Sequence, residues 1–285
     1  MNIEPKTNTK ANMPWAHLRL PPFPQVAVRV LKLVNNENVQ LHELSDLIAA
    51  DPAFASEVLT VANSVLYAPR YPAYNILQAV AVLGANVLQG LCVTVGVRAY
   101  LGKAMSFPVL KHLWHHNLAC AVISEKLAIA SSLDKDTAFT VGILHDIGRA
   151  ALAVIQPQEY AALLNRHQGS PESLLPEERE LFGWDHCETG RQMVANWNLP
   201  QEFVDAVSHH HDPRQQDAPW TIAEVAHASC SMANAIGFAA FPGCVQADYE
   251  ALRQMLPAAV QERFYTIADP LVDEVHKAIH AIEFL

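Results

Sequence analysis

The sequence predicts an all-α protein, and three observations carry that prediction. Apolar residues recur at helical spacing through nearly every segment, and few stretches alternate apolar and polar residues as half-buried strands do. Glycine is sparse as well, 11 in 285 residues, while alanine and leucine recur throughout. With 51% hydrophobic residues the chain can bury a large core, in one long domain or two smaller lobes.

Residues 1–14 carry no apolar periodicity and are expected to be disordered; nor do they hold the apolar stretch of a signal peptide. The first helix is predicted from Val26 to Val34, stopped by "NNEN". "LHELSDLIAADPAFASEVLTVANS" reads as two helices, since Asp51 can cap the second and Pro52 suits its first turn. After the turn "YAPRYPAYN", one helix runs to about Leu83, breaks at Gly84, and gives way to another ending near Leu101. Proline and glycine in "GKAMSFP", 102–108, mark a boundary, so residues 15–105 form an N-terminal helical lobe and 106–240 a second one. A C-terminal helical extension, 241–285, follows.

Beyond the boundary, "LWHHNLACAVISEKLAIA" puts His116, Cys120, Ile123 and Leu127 on one helix face, so His116 points inward. "FTVGILHDIGRAAL" reads as a buried helix with His145 and Asp146 at its middle, and a loop-rich link through "QGSPESLLP" comes next. In "ERELFGWDHCETGRQMVANWNLP", His186 lies on the apolar stripe continued by Gly190, Met193, Val194 and Trp197. "QEFVDAVSHHHDP" ends a helix in His209, His210 and His211, and "TIAEVAHASCSMANAIG" is a helix carrying His227 and Cys230.

The net charge of −10, with no basic run, argues against nonspecific nucleic-acid binding, which depends on Lys and Arg displacing counterions from phosphates. Five cysteines without a C-x-x-C pair do not suggest a disulfide framework and fit a reducing cytoplasm. No apolar run is read as reaching the roughly 20 residues that span a bilayer, so no membrane association is expected. Glycine-rich phosphate loops and G-x-G-x-x-G turns are absent from the sequence.

The chemistry lies in the histidines. Nine of the 14 fall between positions 112 and 211. An imidazole and a carboxylate buried without partners would each cost roughly 1–3 kcal/mol, and more for the charge, so His145 and Asp146 require either a metal or ordinary hydrogen-bonding partners.

In order along the chain, "LPPFPQVAVRVLKLV", "LSDLIAADPAFASEVLTVANS" and "AVAVLG", then "LW" with its histidines, "GILHDIGR", "FGWDHCETG", "WNLP" and "HHDP", resemble the HDOD proteins, a branch of the HD superfamily of metal-dependent phosphohydrolases. The resemblance covers about residues 18–240 and makes 106–240 the HD-like lobe. It implies a wholly helical fold with signalling protein partners or, as the alternative, hydrolysis of a phosphorylated small molecule. By comparison with catalytic relatives, the ligand positions fall on His116, His145, Asp146, His186, His210 and His211. The place of a final aspartate holds Cys230, and a lysine that often follows H-D-x-G is Arg149.

Two readings of these residues stand side by side. As a metal site of one or two ions, the mixed imidazole and carboxylate set favours iron or manganese, with zinc and nickel also suited, over calcium. Asp146 would then be the shared ligand, and in a hydrolase Asp146 and Arg149 would serve catalysis. As an ordinary interior, each histidine is a hydrogen-bonded core residue and the His209–His211 run a solvated helix end. His112, His115 and His209 read as exposed polar positions, His227 as structural, and Cys120 and Cys187 as packing.

Overall fold

The computed structural model describes residues 22–34, 39–64, 67, 69–212, 220–268 and 270–283. The disorder expected for 1–14 and the "NNEN" stop lie outside the described residues. Within them every regular element is a helix, apart from one isolated bridge between Gly169 and Cys244.

The N-terminal half is built as its local signals require. Helix α1 (Gln25–Val34) buries Ala27, Val28, Val30 and Leu31. Helices α2 (Leu41–Ala49) and α3 (Pro52–Ala62) are separated at Asp51, whose carboxylate accepts the Phe54 amide at 3.1 Å, with Pro52 in the first turn. Gly84, at φ 87°, divides α4 (Ile76–Leu83) from α5 (Ala85–Leu101). Most of α5 is buried, and a 3₁₀ turn over Gly102–Ser106 leads out of it.

Helix α6 (Pro108–Ser131) begins with proline at its first position and is buried on most of its surface. It is followed by α7 (Lys135–Leu144), which packs on both α6 and α5. Gly142 makes the first crossing close, because a Cβ there would lie 2.5 Å from the Ala121 Cα. Contrary to the expectation of one helix through His145 and Asp146, α7 ends at Leu144 and α8 (Ile147–Ile155) starts anew. Asp146 leaves helical geometry at φ −99° and ψ 22°, and its carbonyl accepts the Arg149 amide at 2.9 Å. The reorientation at this junction brings the paired side chains inward while each helix keeps its own packed face.

Contrary to the expectation from sequence, Lys135–Ile155, 21 residues containing a window of mean hydropathy 1.5, is long and apolar enough to cross a membrane by length and composition. That window is 83% buried inside the protein, where it supplies core surface.

After α9 (Pro157–Arg166), the expected loop "QGSPESLLP" instead enters α10 (Pro171–Phe182), with Pro171 at its first turn and Pro176 inside the helix. Pro171, Leu174, Glu178 and Phe182 are its buried residues. Helices α11 (His186–Asn196), α12 (Gln201–His209) and α13 (Ile222–Ala235) complete the surroundings of the histidines. Three further helices, α14 (Tyr249–Gln254), α15 (Ala258–Ile267) and α16 (Leu271–Glu283), follow, and the last two pack on α6. One continuous apolar cluster runs from Phe23 to Ile282.

The crossing of α8 and α11 permits no side chain at Gly148, where a Cβ would lie 1.9 Å from the His186 carbonyl oxygen and 2.7 Å from the Gly190 amide nitrogen. Gly148→Ala is therefore expected to cost at least about 1–3 kcal/mol by overpacking. Urea denaturation should show a lower midpoint, and an unchanged midpoint would contradict the close crossing.

Candidate metal centre

Six helices deliver the site. His116 comes from the middle of α6, His145 and Asp146 from the α7–α8 junction, and Arg149 from the first turn of α8. His186 opens α11, His210 and His211 follow α12, and Cys230 lies on α13. His116, His145, Asp146, Arg149, His186 and His210 are fully buried; His211 and Cys230 are nearly so.

The imidazoles are oriented from behind. Nδ1 of His116 meets the Phe238 carbonyl at 2.7 Å, that of His145 the Gly142 carbonyl at 2.8 Å, and that of His210 the Val207 carbonyl at 3.0 Å. Nδ1 of His186 meets the Glu178 carboxylate at 2.6 Å. In neutral His116, His145 and His210, donation from Nδ1 leaves Nε2 free to act as an acceptor, the usual arrangement behind metal-bound histidine. All four Nε2 atoms lie within 3.9 Å of an Asp146 oxygen: 3.9 Å for His116, 3.6 Å for His145, 3.5 Å for His186 and 3.2 Å for His210. His211 joins through its Nε2, 3.0 Å from that of His186.

Asp146 is the centre of the charge distribution. Its Oδ1 accepts Arg149 Nε at 2.9 Å and lies beside His210, whereas Oδ2 has no hydrogen-bond partner. His145 Nε2 and Arg149 Nη1 are also without one. Burial would raise the Asp146 carboxyl, but Arg149, His145 and the His210 hydrogen bond hold it well below the usual carboxylate range. Burial lowers His210, and burial together with His210 drives His211 lower still. For His186, burial and Arg149 push down, while Cys187 and Glu178 prevail and raise it to about 10.

Glu178 is the residue that the sequence reading missed. Fully buried on α10, it accepts the His186 amide at 2.9 Å and the Tyr160 hydroxyl at 2.7 Å as well as the imidazole. Burial opposes its charge, yet His186, Arg149 and Tyr160 hold its carboxyl low. A signal existed in its place between Leu174 and Phe182 at four-residue spacing, an acidic side chain on a buried stripe.

Cys120, read from sequence as packing, also belongs to the site: its sulfur lies 3.4 Å from His116 Nε2, and that of Cys230 3.6 Å. A hydrogen bond from Cys120, with burial opposing and His116 assisting, holds the Cys230 thiol well below its ordinary range. Of the other described histidines, His115, expected to be exposed, is half-buried on α6, while His112, His209 and His227 match their expected roles. His209 is exposed and bonds Asp212 at 2.8 Å, His112 is exposed, and His227 Nδ1 supports the His210 carbonyl at 2.8 Å.

This buried cluster of imidazoles around a carboxylate, with an orphaned Nε2 facing an orphaned Oδ2, has the make-up of a divalent-metal site. Comparison with known proteins places the chain in a family. The HDOD domain matches residues 20–213, and the chain belongs to the HDOD family. An uncharacterized protein of Treponema pallidum (strain Nichols) is 26% identical over 219 residues, covering 74% of this chain and 42% of its own. The chain thus spans less than half the length of that curated relative. Among solved structures, an HDOD domain protein of unknown function from Geobacter sulfurreducens superposes with a TM-score of 0.73 at 21% identity, over 92% of this chain and 93% of its own. A Shewanella amazonensis SB2B protein provisionally assigned as a metal-dependent phosphohydrolase gives 0.64 at 22% identity, over 93% and 92%. These likenesses establish the all-helical fold.

Removing one partner of a buried ion pair costs about 3–5 kcal/mol, because the other charge is left uncompensated. Glu178→Gln is expected to lose stability on that scale in chemical denaturation. A loss below about 1 kcal/mol would mean that the His186–Glu178 pair carries little charge.

Proposed function

We propose that this protein is a regulatory HDOD module whose HD-like pocket binds a divalent metal as a structural or sensing element, with signalling proteins as partners. The observation that carries this reading is the closure of the pocket. The side chains around Asp146 are buried, and the Arg149 guanidinium, the group that would steady a phosphate, is itself fully buried and bonded to Asp146. Among the described residues, this burial leaves the Asp146 carboxylate without solvent exposure.

A second reading, hydrolysis of a phosphorylated small molecule, is favoured by one feature. His211 borders a cavity of about 790 Å³ that also meets Trp220, Glu172, Glu224 and Met232. The described lining holds two carboxylates and no Lys or Arg, a poor electrostatic match to a phosphoanion. The regulatory reading therefore has the stronger support.

Protein purified without added metal and without a nickel column should retain a divalent metal by elemental analysis. Asp146→Asn should lose it while remaining helical by circular dichroism, and the parent should show no turnover on a panel of phosphomonoesters and phosphodiesters. Metal-dependent turnover abolished by Asp146→Asn would instead establish the hydrolase. Unchanged metal content in a folded Asp146→Asn variant would remove Asp146 from the metal site.

A further inference from the structure

We propose that the cleft between α13 and α14 is a binding site for an organic cation, a small molecule with an ammonium head on an apolar body. The proposal goes beyond the regulatory reading above and requires no bound metal.

The C-terminal region builds this cleft. One face of α13 lines it, because Glu224, Ala228, Ser231 and Met232 recur at spacings of a single helical turn. The facing wall comes from α14 and the residues that end it, with Leu252, Met255 and Leu256 turned to the same space. Glu172, in the first turn of α10, and His211 complete the arrangement. Apart from these two, the described lining lies beyond residue 213, where the match to the HDOD domain ends. Of the groups around Asp146, His211 alone belongs to the described lining, so the cleft is a separate space. Its volume of about 790 Å³ is of the size that encloses most of a drug-sized molecule.

The walls carry the two features that recognise an ammonium group on an apolar body. Glu172 and Glu224 supply negative charge, within a protein whose net charge is −10. The Glu224 carboxylate accepts the Thr221 hydroxyl, which fixes it at the start of α13. Glu172 lies 3.9 Å from His211 Nδ1 with its side chain 45% exposed, so its oxygens are accessible to a second donor. Trp220 adds the aromatic ring on which cations stack best. For the apolar body, Met232 and Leu256 offer buried wall, while Met255 leaves a flexible thioether side chain 72% exposed beside it.

Charge decides among ligand classes. An anion would be repelled by both carboxylates, and a neutral apolar molecule would gain only the wall contacts. An ammonium with an apolar body gains both. It would also sit one side chain from the buried cluster, because His211 Nε2 lies 3.0 Å from that of His186 and 3.4 Å from Arg149 Nη2.

Three probes that share one body separate charge from apolar contact. Phenylbutylamine, phenylbutanol and phenylbutyrate are titrated into the full-length protein by isothermal titration calorimetry at low ionic strength, before and after treatment with a chelator. The amine should bind about tenfold more tightly than the alcohol, and the carboxylate more weakly than either. Glu172→Gln should weaken the amine about fivefold and leave the alcohol within about twofold, and Trp220→Leu should weaken the amine more than the alcohol. Ala228→Trp, which fills the cleft, should abolish binding of all three. Equal affinity for amine and alcohol, tighter binding of the carboxylate, or no binding of any probe would overturn the proposal. Amine affinity lost on chelation would assign the binding to a metal and overturn it as well. Unchanged binding in a folded Ala228→Trp variant would place the site elsewhere. Glu172 is exposed, so Glu172→Gln decides the matter even where Ala228→Trp fails to fold: an unchanged preference for the amine would remove the carboxylate from the site and overturn the assignment.

Discussion

The buried carboxylate of Asp146 is the constraint around which the rest of this protein is arranged. Transferring an ionised carboxylate out of water costs several kcal/mol even after relaxation, and only close opposite charge and hydrogen bonds offset that cost. Arg149, three residues on, provides the first at 2.9 Å. Four imidazoles from α6, the α7–α8 junction, α11 and the end of α12 surround the remainder. The charge therefore adds to the apolar packing that brings segments 116, 146, 186 and 210 together.

Holding these groups in place requires a second set of interactions that never touches Asp146. Backbone carbonyls of Phe238, Gly142 and Val207 accept from three histidines, and Glu178 accepts from the fourth. Gly142 and Gly148 let α7 approach α6 and α8 approach α11 closely, so that the α7–α8 junction lies against the helices bearing His116 and His186. Glycine at these positions is a packing requirement of the site, since a methyl group at Gly148 would overlap the His186 carbonyl itself.

The asymmetry between the two sides of Asp146 sets this pocket apart from a symmetric two-ion centre. Two-metal hydrolysis uses a pair of ions to stabilise attacking and leaving oxygens. Here one side is taken by a guanidinium fixed in a planar, permanently charged form, and the other is lined by imidazole and sulfur. The nearby cavity reaches His211 but offers carboxylates rather than cations among its described walls. Among the described residues the pocket is thus closed and chemically two-sided.

Much of this was determined by sequence alone. Helical spacing, the Asp51 cap and the Gly84 break delimit α1 to α5, because those signals act over one or two turns. The same spacing placed His116 and His186 on buried stripes, and the ordered motifs carried the family resemblance. Tertiary structure decided what local periodicity could not express: that the chain turns between His145 and Asp146, that "SPESLLP" enters a helix, that Glu178 meets His186 and that Cys230 meets His116. It also decided which Asp146 oxygen meets Arg149 and which remains unpartnered. A 3.6-residue repeat specifies which face of a helix is buried, whereas the atom met by a buried side chain depends on how helices remote in sequence cross.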